Sequence, residues 1–141
     1  MVWLGGTFRR IVSDPDVVRL VVPARPEFLR LARVTAAGLA VRFGFVYDEV
    51  EDIRLGVDEI CFAALGGQER DGTVEITFRV APQMIVVEGT GTFSDPAVPP
   101  GLNDLSRLVL AAVADEHDLK VTAHRVEFRL VKRHSDRAAS V

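Results

Sequence analysis

The sequence predicts an α+β fold, a two-layer sandwich in which helices cover one face of a mixed, mostly antiparallel sheet. Two observations indicate it. The first is the order of patterned segments, which reads strand, helix, helix, strand, strand, loop, helix and one or two final strands. The second is the strict alternation of apolar and polar residues over residues 73–80, which is typical of a strand with one face on a core.

Length and composition indicate one globular domain. A chain of 141 residues can build one hydrophobic core but not two. We predict an N-terminal arm over residues 1–16, a domain over residues 17–133 and a flexible tail over residues 134–141. The net charge of -3 argues against general nucleic-acid binding. A single cysteine excludes an internal disulfide, and the chain lacks apolar runs of membrane-span length, so we expect a cytoplasmic protein.

The first strand and helix are marked by β-branched residues and prolines. Residues 17–22 are rich in valine and predict a strand that Pro23 stops. Pro26 suits the first turn of a helix, which should end near Phe43. A helical stripe supports this element, made of Phe28, Leu31, Ala32, Thr35 and Leu39.

A second helix is predicted over residues 49–65, with Asp48 as its start signal. Its apolar residues recur on one face and are Ile53, Val57, Ile60, Cys61 and Ala64. Glu59 falls beside this stripe, between the small residues Gly56 and Ala63. A carboxylate that overlooks free space is a candidate for chemistry, although most glutamates at such positions are simply solvated.

The second half of the chain holds the remaining elements. After the alternating strand, residues 84–88 predict a more fully buried strand, and the glycines and prolines of residues 89–101 predict a loop. Asn103 or Asp104 can cap a helix, and the residues predicted to face inward are Leu105, Leu108, Val109, Ala112 and Val113. Residues 119–121 and 126–131 predict the last strands.

Four motifs together resemble a known family. They are the helix segment LGVDEIC that contains Glu59, the strand MIVVE leading into Gly89 and Gly91, the pair Gly101-Leu102 before the last helix, and a final strand ending in Lys132-Arg133. In this order they resemble the bacterial anti-sigma regulatory factors. These are the switch serine kinases of stress and sporulation sigma factors, with the histidine-kinase-type ATPase (Bergerat) fold. The DEIC segment resembles the actinobacterial branch.

The resemblance implies roles for particular residues. It makes Glu59 the general base of a serine kinase, and it places the Mg²⁺-holding asparagine of the family at Ala63, which has no ligand atom. The adenine-reading turn falls on Gly89, Gly91 and Phe93, where the family has aspartate, glycine and glycine. An alignment shifted by one residue places Glu88 at the aspartate position but Thr90 at the first glycine. The phosphate loop falls on Gly101 and Leu102, preceded by two prolines. The implied nucleotide site is therefore degenerate, and ATP and Mg²⁺ are expected to bind weakly or not at all.

Other candidate groups carry less information. Arg25, Arg30 and Arg33 form a basic ridge on the first helix, either a solvated face or a partner-binding one. The resemblance favours contact with an acidic sigma-factor surface. The three histidines lack metal-ligand spacing, so no metal site is predicted. Phe93 either forms an exposed lid with Val98 or packs in the core, and core packing is the simpler interpretation.

Three functions follow as hypotheses. The leading one is an anti-sigma factor that sequesters an alternative sigma factor and is relieved by an anti-anti-sigma antagonist, with weak or absent use of ATP. The alternative is an active ATP-dependent serine/threonine kinase that phosphorylates this antagonist through Glu59. A third hypothesis is an interaction module unconnected to transcription. The resemblance also implies a homodimer formed through the first strand and helix, without direct contact to nucleic acid or membrane.

Overall fold

The computed structural model describes residues 16–135. The strands are β1 (Asp16–Pro23), β2 (Gly72–Ala81), β3 (Met84–Phe93), β4 (Glu116–Val121) and β5 (Arg125–Arg133). The helices are α1 (Pro26–Arg42), α2 (Tyr47–Leu65) and α3 (Asp104–Val113). The predicted arm lies outside the described residues except for Asp16, and so do residues 136–141 of the predicted tail.

The five strands form one sheet in the order β1-β2-β3-β5-β4. Every pairing among the described strands is antiparallel, so the sheet is not mixed. The helices pack with one face of this sheet into a single core, which confirms the two-layer α+β sandwich. A smaller apolar cluster lies on the opposite face and consists of Ala81, Met84, Val86 and Val131.

The alternation on β2 is confirmed in full. Val74, Ile76, Phe78 and Val80 are each completely buried beneath the helices. Burial of one such side chain contributes about 1.5–3 kcal/mol relative to exposure. This strand therefore fixes which face of the sheet receives the helices, because a slip by one residue would move all four side chains to the other face.

Helix α2 follows its predicted stripe, but its start signal is different. The five predicted stripe residues are all buried, Cys61 among them. Asp48 does not cap the helix, because the backbone N–H of Val46 is instead accepted by the Glu49 carboxylate at 2.9 Å. Gly66, with φ of 70°, ends the helix in the left-handed conformation that glycine adopts at low cost.

Strand β3 is longer than the sequence predicts. The loop predicted over residues 89–101 is wrong for its first part, since Gly89 and Gly91 lie inside the strand and pair with β2 on one side and β5 on the other. Glycines in such a pattern indicate either the end of a strand or the close approach of another group. Their actual role is steric, because large aromatic side chains occupy the space beside them.

Helix α3 begins as predicted and is rotated differently. The Asn103 side chain caps it by accepting the backbone N–H of Ser106 at 2.7 Å. The predicted inward stripe is confirmed for Val113, which is buried, and wrong for Leu105 and Leu108, which are exposed, whereas Leu110 is buried. In this rotation Ser106 meets Glu59 of α2, and Val113 packs with Leu130 of β5 against the small residue Gly56 of α2.

The first residues of the predicted tail are bonded to helix α2. The carboxylate of Glu49 is buried and accepts the Nδ1–H of His134 at 2.7 Å and the backbone N–H of Ser135. The His134 ring also packs against Phe45, with ring centroids 4.8 Å apart. Burial would raise the pKa of Glu49, but the hydrogen bonds from Val46, Ser135 and His134 outweigh it and hold this pKa below its ordinary value.

We predict that Glu49→Gln destabilises the protein by about 1–3 kcal/mol at pH 7, because hydrogen bonds to a charged acceptor are lost. A lowered carboxyl pKa contributes stability that is full above the unfolded-state value of 4.5 and is lost as the pH falls through the folded-state value. Urea unfolding from about pH 7 down to pH 3 should therefore show the two proteins converging in acid.

Glu51→Gln is the matched control, because Glu51 is an exposed glutamate on the same helix. It should change the free energy of unfolding by less than about 0.5 kcal/mol. A difference between wild type and Glu49→Gln that stays constant across the pH range would contradict the prediction.

Candidate functional site

Glu59, the predicted catalytic residue, lies on α2 at the seam with α3. Its side chain is half-buried, and its Oε2 accepts a hydrogen bond from the Ser106 hydroxyl at 2.8 Å. Ser106 is itself buried and stands at the start of α3, where Asn103 caps its backbone N–H. The carboxylate therefore connects two helices. A serine in contact with this carboxylate was not anticipated from the sequence.

A cavity of about 430 Å³ adjoins Glu59 on its other side, between α1 and α2. Its lining residues are Pro26, Leu29, Arg30, Arg33, Asp58, Glu59, Cys61, Phe62, Leu65 and Gly67. None of the glycines predicted to bind a cofactor contributes to this cavity. Burial raises the pKa of the Cys61 thiol to about 12, with Asp58 acting in the same direction, so this thiol stays protonated and acts as a core residue.

Gly89 and Gly91 lie under aromatic rings on the helix-covered face of β3. A Cβ atom placed on Gly89 would lie 2.1 Å from the ring of Phe128, its partner on β5. A Cβ atom on Gly91 would lie 2.6 Å from the Phe93 ring. Phe93 is buried, so the core-packing interpretation is confirmed, whereas Val98 is exposed. These two glycines therefore make room for the protein's own aromatic side chains.

Gly101 and Leu102 lie in the connection between β3 and α3, residues 94–103, which we call the β3–α3 connection. Gly101 has φ of 78°, a conformation that favours glycine, and Leu102 packs against the core. Earlier in the connection, Pro99 packs against Gly66, the residue that ends α2. A Cβ atom placed on Gly66 would lie 3.1 Å from the Cβ atom of Pro99. The connection thus packs against the end of α2.

The residues at these positions do not fit a nucleotide with Mg²⁺. Gly89 supplies no acceptor side chain, and the Phe128 ring fills the space beside it. Ala63 is buried and has no ligand atom for Mg²⁺. Pro99 and Pro100 have no backbone N–H to donate to a phosphate. Within residues 16–135, no group of three or more histidine, cysteine or acidic side chains is arranged to hold a metal ion.

Arg70 is the residue that sequence analysis missed. Its side chain is only 1% exposed, and its Nε donates to Asp95 Oδ1 at 2.7 Å. Its Nη2 donates to the carbonyl oxygens of Ala97 at 2.6 Å and Ala123 at 3.0 Å. The guanidinium carbon lies 4.0 Å from the centroid of the Phe93 ring. One cation therefore joins two separate chain segments, at residues 95–97 and at Ala123, to the ring that lies beside Gly91.

Asp95 completes this arrangement. Its carboxylate accepts the backbone N–H of Asp71 at 2.9 Å and that of Ala97 at 3.1 Å, in addition to Arg70. The bond from Asp71, opposed in part by burial and supported by Arg70 and Ala97, holds the pKa of Asp95 below its ordinary value. The carboxylate therefore stays ionised opposite the guanidinium. The only sequence signal was an arginine in a polar turn, which is normally solvated.

The predicted partner-binding arginines do not form one continuous ridge. Arg30 and Arg33 both line the cavity between α1 and α2, whereas Arg25 lies at a different groove with Glu69. Arg33 donates from Nη1 to Asp58 Oδ2 at 2.8 Å, and Arg25 lies 3.7 Å from Glu69. Arg30 is exposed.

The antiparallel α+β sandwich and the order of these motif positions are consistent with the predicted resemblance to the anti-sigma regulatory factors. Sequence comparison supports this family. The chain is 35% identical over 86 residues to the serine-protein kinase RsbW of Bacillus pumilus, an alignment that covers 55% of this chain and 53% of that protein. It is 37% identical over 71 residues to RsbW of Bacillus subtilis, covering 48% of this chain and 44% of the relative.

The chain is also similar to an RsbW protein from another genus. The RsbW of Halalkalibacterium halodurans is 34% identical over 70 residues, covering 49% of this chain and 43% of the relative. The chain spans about half the length of the curated relatives that it matches. No protein-family model matches the chain. No helix within residues 16–135 is long and apolar enough to cross a membrane.

We predict that Gly89→Ala destabilises the protein by about 1–3 kcal/mol, because the new methyl group collides with the buried Phe128 ring. Gly38→Ala is the control, since Gly38 lies in the middle of α1 with open space around it. That change should stabilise the protein by about 0.5–1 kcal/mol through helix propensity. Urea unfolding of both variants measures the two effects, and a Gly89→Ala protein as stable as wild type would refute the packing assignment.

Proposed function

We propose that this protein is an anti-sigma factor that sequesters an alternative sigma factor and is relieved by an anti-anti-sigma antagonist. Similarity to RsbW proteins over about half the chain and the motif order support the family on which this proposal rests. In this proposal, ATP use is weak or absent. Competition between two protein partners needs only a difference in their affinities, so the switch does not require catalysis.

One observation carries the nucleotide-independent part of the proposal. The Phe128 and Phe93 rings fill the space beside Gly89 and Gly91, the two positions that the resemblance assigns to adenine recognition. Both rings belong to the hydrophobic core, so they cannot leave without losing about 3–5 kcal/mol of packing each. A nucleotide would have to displace them.

The partner surface that we propose includes Arg30 and Arg33. They stand at the rim of the cavity between α1 and α2, whose floor is apolar and buried, with Leu29, Cys61 and Leu65. Phe62 adds an exposed aromatic side chain to the same rim. Arg33 is paired with Asp58, and Glu59 also lines the cavity, so Arg30 is the positive charge that we propose meets an acidic protein surface, with one apolar side chain of the partner inserted in the depression.

We predict that Arg30→Glu weakens binding to the sigma factor about tenfold or more, because a like charge then faces an acidic partner. Biolayer interferometry against each alternative sigma factor of the source genome measures the dissociation constant. Arg42→Glu is the control, since Arg42 is an exposed arginine at the other end of the same helix. Equal losses in the two variants would indicate a general charge effect and contradict the assigned surface.

Function itself is tested by transcription in vitro. The protein should inhibit transcription by polymerase carrying the bound sigma factor, and an anti-anti-sigma antagonist should restore it. Failure to bind or inhibit any alternative sigma factor would favour the third hypothesis, an interaction module unconnected to transcription.

The rival function is an active serine kinase, and the names of the relatives favour it. We predict that Glu59→Gln changes the free energy of unfolding by less than about 0.5 kcal/mol, because an amide oxygen can still accept the Ser106 hydroxyl. Labelled ATP and a purified antagonist test for phosphate transfer by wild type. Transfer that Glu59→Gln abolishes would establish Glu59 as a general base and the rival as correct.

We further propose a cytoplasmic homodimer. Strand β1 is an edge strand of the sheet and exposes Val17 and Val21. Helix α1 exposes an outward stripe made of Leu31, Val34 and Val41. Apolar side chains on an edge strand and a neighbouring helix suit burial in an interface. Light scattering over a range of concentrations measures the mass.

A further inference from the structure

The β3–α3 connection is held at both ends by the protein's own polar groups. At its start, Ser94 donates its N–H to the Asp71 carbonyl at 2.7 Å, and Asp95 binds Arg70 and the N–H groups of Asp71 and Ala97. At its end, Asn103 caps α3, and the Ser106 hydroxyl reaches Glu59. The protein's own polar groups therefore hold both ends of a ten-residue stretch without regular secondary structure.

Arg70 is the centre of the first attachment. Its guanidinium is buried and makes three hydrogen bonds, to Asp95, Ala97 and Ala123, while its Nη1 has no hydrogen-bond partner among the described residues and the group lies over the Phe93 ring. Two of these partners belong to the β3–α3 connection, and the third belongs to the turn between β4 and β5. Removing the guanidinium would therefore release two loops while leaving the helices and the sheet ladder intact.

We propose that Arg70 acts as a built-in substitute for a bound ligand, holding the β3–α3 connection closed against α2 so that its order does not depend on a nucleotide. The consequence for partner binding rests on the proposed function. The helix layer that meets the partner is then permanently assembled, and sigma-factor binding is insensitive to ATP and ADP. The proposal is supported by the Phe128 and Phe93 rings, which fill the space beside Gly89 and Gly91, where the resemblance places a nucleotide.

Hydrogen exchange by mass spectrometry on the isolated chain tests the proposal. In wild type, the amides of Asp71, Ser94 and Ala97 should be protected and unchanged by millimolar Mg-ATP. In Arg70→Met, exchange around these amides and the turn at Ala123 should rise about tenfold or more, because charge-assisted hydrogen bonds are lost. Amides within β2 and β5 should keep their protection.

Arg79→Met is the matched control. Like Arg70, Arg79 is a buried arginine paired with one carboxylate, that of Glu88, but it lies on the sheet face opposite the helices. Its loss should leave exchange in residues 94–98 unchanged. If Arg70→Met does not fold, Asp95→Asn decides, because Asp95 is more exposed. The N–H groups of Arg70, Ala97 and Asp71 use both carboxylate oxygens, and an amide has only one oxygen that can accept them.

Unchanged exchange near Asp95 in Arg70→Met or, if that variant does not fold, in Asp95→Asn would overturn the proposal. Further protection of wild-type residues 94–103 by Mg-ATP would overturn it as well. Both readouts use the chain alone, so they stand even if no sigma factor binds. Where one binds, its dissociation constant should agree within about twofold with and without Mg-ATP, since a closed connection offers no differential affinity to a nucleotide.

Discussion

The buried guanidinium of Arg70 determines how the β3–α3 connection and the turn between β4 and β5 pack at their end of the sheet. Taking an arginine out of water costs several kcal/mol, and only close partners offset that cost. Here they are one carboxylate, two carbonyl oxygens and an aromatic face. Asp95 and Ala97 lie in the β3–α3 connection, Ala123 lies in the turn between β4 and β5, and Phe93 ends β3. The chain folds around the cation because leaving it buried without partners would cost about 3–5 kcal/mol.

This constraint explains why the neighbouring glycines are there. The Phe93 ring must lie beneath Arg70, and its position requires Gly91 to have no side chain. The Phe128 ring fills the adjacent space on the same face and leaves no room for a side chain at Gly89. The glycines, the two rings and the cation therefore form one packed unit. A glycine pattern that elsewhere lets a backbone approach a ligand here lets a backbone approach aromatic side chains.

The sequence predicts the parts of the fold that repeat with one clear period. Strand β2 and helix α2 have such periods, and both were predicted with their buried faces. The rotation of α3 could not be predicted, because both of its faces carry leucines and the choice depends on Ser106 meeting Glu59, 47 residues away. The extension of β3 could not be predicted, because a glycine either ends a strand or lies inside it beside a large side chain. Arg70 was missed because Ala123, 53 residues further on, leaves no local signal.

Glu59 illustrates why a shared residue does not by itself transfer an activity. The residue type stands where the resemblance places a general base, and the half-buried carboxylate is retained at the seam of two helices. A general base must reach the proton of a substrate. In this chain the proton within reach of Oε2 is that of Ser106, a buried residue of the same molecule. The carboxylate thereby holds α3 against α2. The resemblance assigns adenine recognition and Mg²⁺ binding to Gly89 and Ala63, which carry no acceptor or ligand atom, so our proposal rests on the contacts that this glutamate makes within the protein.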